Sequence, residues 1–122
     1  MKTIKLGNRE INIEGSALTP YFHKKEFKEK MSGNLAGLYY ALSSDLREVD
    51  EMALLQIAWA LEKTALVGTN KAIKGFETWL AELGKIDVFS VMEEVVEVAA
   101  DAIFHGSIEK SETNGDGDTG EF

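Results

Sequence analysis

Met52-Ala53-Leu54-Leu55-Gln56-Ile57-Ala58-Trp59-Ala60-Leu61 is the most apolar window of the chain, and it runs directly into Glu62-Lys63. A membrane span needs roughly 20 such residues, so this window is too short to cross a bilayer and reads as a core helix. The helix extends from about Val49 to Leu66 and carries Leu54, Leu55, Ile57, Ala58, Trp59 and Leu61 around most of its circumference. A helix that is apolar on nearly all sides must be surrounded. The rest of the chain is therefore expected to form its cover.

On the C-terminal side, Val67-Gly68-Thr69-Asn70 breaks the pattern, and a fourth helix is predicted from Thr69 to Leu83 with Ile73, Phe76, Leu80 and Leu83 on one face. Gly84 then stands at the usual glycine cap position. A fifth helix follows, opened by Asp87 or by a Ser90/Glu93 capping box, and it ends near His105-Gly106. Val91, Val95, Val98, Ala99, Ala102 and Ile103 form its expected core face.

On the N-terminal side, Thr19-Pro20 is a plausible helix start, and Phe22, Phe27 and Met31 mark a face that reaches to about Met31. Ser32-Gly33-Asn34 is expected to break that helix, with Asn34 capping a second one that carries Leu35, Leu38, Tyr39 and Leu42. Before these helices the period changes from helical to alternating. With Gly7-Asn8 as a two-residue loop, Leu6 faces Arg9, Lys5 faces Glu10, Ile4 faces Ile11 and Lys2 faces Ile13. Ile4, Leu6, Ile11 and Ile13 then share one face. An isolated hairpin is marginal in water, so this face must lie on the helices or join strands of another copy. An unpaired hairpin edge leaves homo-oligomerisation open.

The expected fold is mainly α (α+β): a short N-terminal β-hairpin packed on a compact bundle of about five helices. A single domain covers 1–106, with the hairpin in 1–14 and the helical body in 16–106. Residues 107–122 have three glycines, five carboxylates and one lysine, and are predicted to be a disordered acidic tail.

The formal charge of -8 divides evenly between body and tail, and the body mixes both signs. Nucleic acid is not the expected partner, because phosphate binding needs a basic surface. Lys24, Lys25, Lys28 and Lys30 are interrupted by Glu26 and Glu29 and read as a solvated helix face. The chain has no cysteine, which excludes disulfides and thiolate metal sites and fits a cytosolic setting. Met1 to Leu6 has no apolar run resembling a signal peptide, and no membrane association is expected.

Glu93, Glu97, Asp101 and His105 follow one another at i+4 along the last helix. Successive members stand about 6 Å apart along the axis, so they cannot converge on one ion and read as a wet face. A rival reading takes Glu48-Val49-Asp50-Glu51 and Glu94-Val95-Val96-Glu97 as the paired carboxylates of an all-alpha nucleotide pyrophosphatase, a magnesium enzyme. The second pair lacks the Asp of that family, and a helix intervenes where the elements should be consecutive. Nucleophilic catalysis finds no motif: His105 suits a last helical turn, and His23 is expected on the exposed side of its helix. Gly33 to Leu38 lacks the phosphate-loop pattern. The sequence is read as non-catalytic, with no cofactor and no metal.

Aromatic residues then become the candidate functional groups. Tyr39-Tyr40 and the Phe76/Trp79 pair are the candidate partner-binding surface, with Tyr40 and Trp79 the preferred positions. A groove between helices would suit a partner's amphipathic helix.

The opening Ile4-Lys5-Leu6-Gly7-Asn8-Arg9-Glu10-Ile11, the segment Leu35 to Leu42, the run Met52 to Leu66, Phe76-Glu77-Thr78-Trp79-Leu80 and the ending Ala102-Ile103-Phe104 together resemble the tail assembly chaperones of long, non-contractile-tailed bacteriophages and prophages. The resemblance covers roughly Thr3 to Gly106. It implies a protein that binds and solubilises the tape measure protein, helps recruit tail tube protein during tail morphogenesis, acts in the host bacterial cytoplasm and is absent from the mature virion. Many such proteins have a longer frameshifted form whose added part meets the tube protein, and Glu109-Lys110-Ser111 is compatible with an A-rich slippery stretch. The remaining alternative is a phage regulatory protein-binding module.

Overall fold

The computed structural model describes residues 1–105. Gly106 and the predicted tail, 107–122, lie outside the described residues. The order of elements is β1 (Lys2–Leu6), β2 (Arg9–Ile13), α1 (Leu18–Phe27), α2 (Met31–Ser43), α3 (Glu51–Ala65), α4 (Phe76–Leu83) and α5 (Met92–Ala100). The fold is mostly helical, with the two strands forming an antiparallel hairpin.

The hairpin has the predicted register at all five positions, from Lys2 opposite Ile13 to Leu6 opposite Arg9. Ile4, Leu6, Ile11 and Ile13 are all buried and belong to the same apolar cluster as the helices. Burying a side chain of this size is worth about 1.5–3 kcal/mol, which supplies what an isolated hairpin lacks. The turn is also bolted down: Asn8 N–H donates to the Leu83 carbonyl at the end of α4, at 2.8 Å. Gly7 has φ +61°, and a Cβ there would collide with that same carbonyl, so both the conformation and the close approach require glycine.

α3 is the central helix, as its all-round apolar pattern predicts. Ala53, Leu54, Leu55, Ile57, Ala58, Trp59, Ala60 and Leu61 are buried in succession, and even Glu62 and Thr64 are enclosed. Asp50 caps it by accepting from Ala53 N–H at 3.1 Å. β2 lies along its far end, where Glu14 N–H donates to the Leu61 carbonyl.

The first two helices divide differently from expectation. α1 ends at Phe27, and Lys28 takes the left-handed conformation (φ 61°) with its N–H bonded back to the Lys24 carbonyl. α2 then begins at Met31 and passes through Ser32-Gly33-Asn34, where a break was predicted. Asn34 is not a cap: its amide donates to Glu29 Oε1 and meets His23 Nε2. Met31 is thereby the first buried residue of α2, followed by Leu35, Leu38 and Ala41.

The fourth helix is shorter than predicted, beginning at Phe76 and not at Thr69. The Trp59 indole N–H donates to the Lys74 carbonyl at 2.9 Å, which uses an acceptor that a helix would otherwise employ. Gly75 follows as the residue before the helix, and Ile73 is the only large apolar side chain from Lys71 to Gly75. Before α5, the Asp87 carboxylate accepts from Phe89 N–H and closes a short turn over Val88–Ser90. The Ser90/Glu93 capping box does not form, since Ser90 Oγ donates to the Asp87 carbonyl. On α5 and the residues flanking it, Val91, Met92, Val95, Val96 and Ala99 are buried, while Val98, Ala102 and Ile103 are half-buried. One π turn, Asp101–His105, continues it.

Candidate functional site

α2 buries Leu38 and Ala41 against the core, which places Tyr39 and Leu42 at the edge of its contact with α5 and turns Tyr40 fully outward. Tyr39 is 43% exposed, Tyr40 62% and Leu42 36%. Tyr39, Leu42 and Ser43 line one side of a groove; Ser90, Glu93, Glu94, Val96 and Glu97 line the other, and Lys2 of the hairpin also lines it. The groove is open and has a volume of about 920 Å³. Lys2 Nζ approaches Glu97 at 3.8 Å, a solvent-exposed pair of little energetic consequence. Phe89, immediately before Ser90, is also exposed.

Trp79 and Phe76 do not join this surface. Trp79 is 1% exposed, and its indole N–H donates to Glu62 Oε1 at 2.7 Å. Arg9 reaches Glu62 Oε2 at 3.3 Å, so both oxygens of a buried carboxylate have donors. Phe76 is half-buried within a run of rings: it meets Phe27 at 4.9 Å edge to face and stacks on Trp79 at 5.8 Å. The expected surface position of Trp79 is corrected by the polar partner that α3 supplies for its indole, which lets the ring be enclosed without leaving an unpaired N–H. At the rim of this cluster the Lys74 ammonium pairs with Glu82 and holds its carboxyl below the ordinary range.

His23 is likewise inside and not on the exposed side of α1, with no accessible surface. Its Nδ1 lies 3.3 Å from the Glu29 carbonyl and its Nε2 3.4 Å from the Asn34 amide nitrogen. With the proton on Nδ1 the neutral ring donates to the carbonyl and accepts from the amide. Burial pushes its pKa below the ordinary histidine value, against a smaller opposing effect of Glu29. Phe27 packs edge-on at 5.0 Å. Thr19, one turn before His23, shares a 2.7 Å hydroxyl contact with Thr64 of α3. These groups are occupied in joining α1, α2 and α3.

The carboxylates weighed as metal ligands are dispersed. Asp50 is engaged as a helix cap, and Glu93, Glu97 and Asp101 face solvent along one stripe. Among the described residues no group of three or more His, Asp or Glu side chains is placed to hold a metal ion. No helix among them is long and apolar enough to cross a membrane. The side chain of His105 lies outside the described residues.

Of the four residues proposed from sequence, Tyr39 and Tyr40 are therefore on the surface, and Phe76 and Trp79 are built into the packing around α3. Leu42, Val96 and the Glu93/Glu94/Glu97 rim are parts of the groove that sequence reasoning did not single out. A signal for Leu42 existed in its i+3 spacing from Tyr39, and Val96 was obscured by its acidic neighbours. A scan against protein-family models finds no match, and neither curated proteins nor solved structures yield a similar chain.

Proposed function

We propose that this protein is a non-catalytic binding protein that holds an apolar helical segment of a partner, as a phage tail assembly chaperone does for the tape measure protein. The observation that carries the reading is the exposed pair Tyr39 and Leu42 lining an open groove, on a helix whose other face is committed to the core. Large apolar side chains left in water beside a concavity are what a helix-binding surface needs, because affinity comes from their burial. An acidic body supports the same role, since net charge opposes co-aggregation of a protein that holds a sticky client.

In this reading the protein works in the host bacterial cytoplasm, keeps the tape measure protein soluble while tail tube protein assembles around it, and is not retained in the virion. A longer frameshifted form would make most of the contact with the tube protein. Co-expression with fragments of a tape measure protein tests it. Fragments that are insoluble alone should appear in the soluble fraction and co-purify with the chain; fragments that remain insoluble in its presence would remove the reading.

A further inference from the structure

The proposed client surface has one chemical asymmetry that narrows what fits it. The apolar lining of the α2–α5 groove is Tyr39, Leu42 and the nearly fully buried Val96, and the same groove carries Glu93, Glu94 and Glu97, with Lys2 as the one cation among the lining residues. That cation pairs with Glu97, at 3.8 Å. An uncharged apolar helix would satisfy Tyr39 and Leu42 and leave the carboxylates indifferent. A helix with basic residues flanking its apolar stripe would satisfy both.

We propose that the occupant of this groove is a basic amphipathic helix of a partner protein, seated with its apolar stripe on Tyr39, Leu42 and Val96 and its Lys or Arg side chains against Glu93, Glu94 and Glu97. This rests on the reading of the protein as a helix-binding chaperone and adds the charge of the bound segment. Two other occupants are disfavoured by the same charges. The chain's own residues 107–122 carry five acids and one base, and a second copy brings a formal charge of -8. Either would meet the acidic rim with like charge, whereas a basic helix is steered toward it. The attraction of exposed carboxylates is screened over a Debye length of about 10 Å at 0.1 M salt, so the preference must weaken as salt rises.

The test uses the full chain and three synthetic amphipathic helices with the same leucine stripe and with Lys, Gln or Glu on the polar face. Binding is followed by calorimetry at low and high salt. The Lys helix is expected to bind about tenfold more tightly than the Gln helix at low salt, with the Glu helix weakest and the gap closing at high salt. Glu93→Gln/Glu94→Gln/Glu97→Gln should erase the difference between the Lys and Gln helices, and Leu42→Ser should weaken both. Tyr40→Ser, on the opposite side of α2, should change neither.

Equal affinity for the three helices, or a preference that survives the triple substitution, overturns the inference. If the triple variant still solubilises tape measure fragments as well as the parent chain does, the chaperone reading stands and this inference alone falls. Because the chain has no cysteine, a spin label at Ser107→Cys can be placed uniquely. Selective broadening of the Tyr39 and Leu42 resonances by that label would make the tail the occupant. A concentration-dependent dimer broken by the Glu93/Glu94/Glu97 substitutions would give the groove to a second copy. Each of these outcomes also overturns the proposal.

Discussion

The α3–α4 side and the α2–α5 side of this molecule use the same kinds of side chain to opposite ends. On the first, an aromatic ring and a carboxylate are joined: Trp79 donates to Glu62, Arg9 takes the other oxygen, and both Trp79 and Glu62 are enclosed. On the second, Tyr39 and Leu42 stand beside Glu93, Glu94 and Glu97 around an open groove. In the first arrangement the indole and the carboxylate satisfy each other, whereas the second leaves both apolar area and charge exposed. An aromatic residue is thus a poor guide to a binding surface until its polar partner is known.

The sharpest way to break this contrast is to exchange consequences between the two sides. Trp79→Ala should destabilise the fold by about 3–5 kcal/mol, read from urea unfolding, because it opens a cavity and leaves Glu62 with one donor fewer. A near-neutral result would return Trp79 to the surface. Glu62→Ala should cost about 1–3 kcal/mol in the same assay, the usual penalty for a buried donor deprived of its acceptor. A third test concerns pH. His23 has a folded pKa below its unfolded value of about 6.5, so the unfolded state binds more protons between the two values. Stability should be full above about pH 6.5 and decline as pH falls below it, by at most about 1.4 kcal/mol per pH unit, and His23→Gln should flatten this part of the profile. The smallest change is expected on the open side, where Tyr40→Ser should alter stability by no more than about 0.5 kcal/mol. Unfolding of that variant would mean α2 packs with its outer face.

The hairpin and the central helix were legible because their periods are local. Alternation around Gly7-Asn8 specifies which residues face one another, and a one-residue slip would send Ile4, Leu6, Ile11 and Ile13 to the wrong side. Contacts between distant residues left no such trace. Trp79 and Glu62 are seventeen positions apart on different helices, and neither residue signals the other. His23 was misplaced for a related reason: Phe22 and Phe27 are the conspicuous apolar residues of α1, yet Thr19 and His23 hold its innermost line through hydroxyl, amide and carbonyl partners on α2, α3 and the intervening turn. The boundary between α1 and α2 moved because Lys28 adopts φ 61°, a conformation that nothing in a lysine announces. Tyr39 and Tyr40 were expected at the surface from exposed-aromatic reasoning and are exposed there, whereas the acidic rim beside Tyr39 appears only when α5 is laid beside α2.

The bond from Asn8 to the Leu83 carbonyl joins positions about 75 residues apart. Synthesis runs from the N-terminus, so the hairpin turn leaves the ribosome long before its seat exists. The Ile4, Leu6, Ile11 and Ile13 face cannot be fully covered until α3 and α4 have followed it out. Closure of so long a loop is entropically costly and is repaid only once those contacts form. During that interval the growing chain exposes an apolar strand pair with free edges, the kind of surface that pairs with other chains. The nascent form of this protein thus passes through the hazard that, in the chaperone reading, the finished form would relieve in its client.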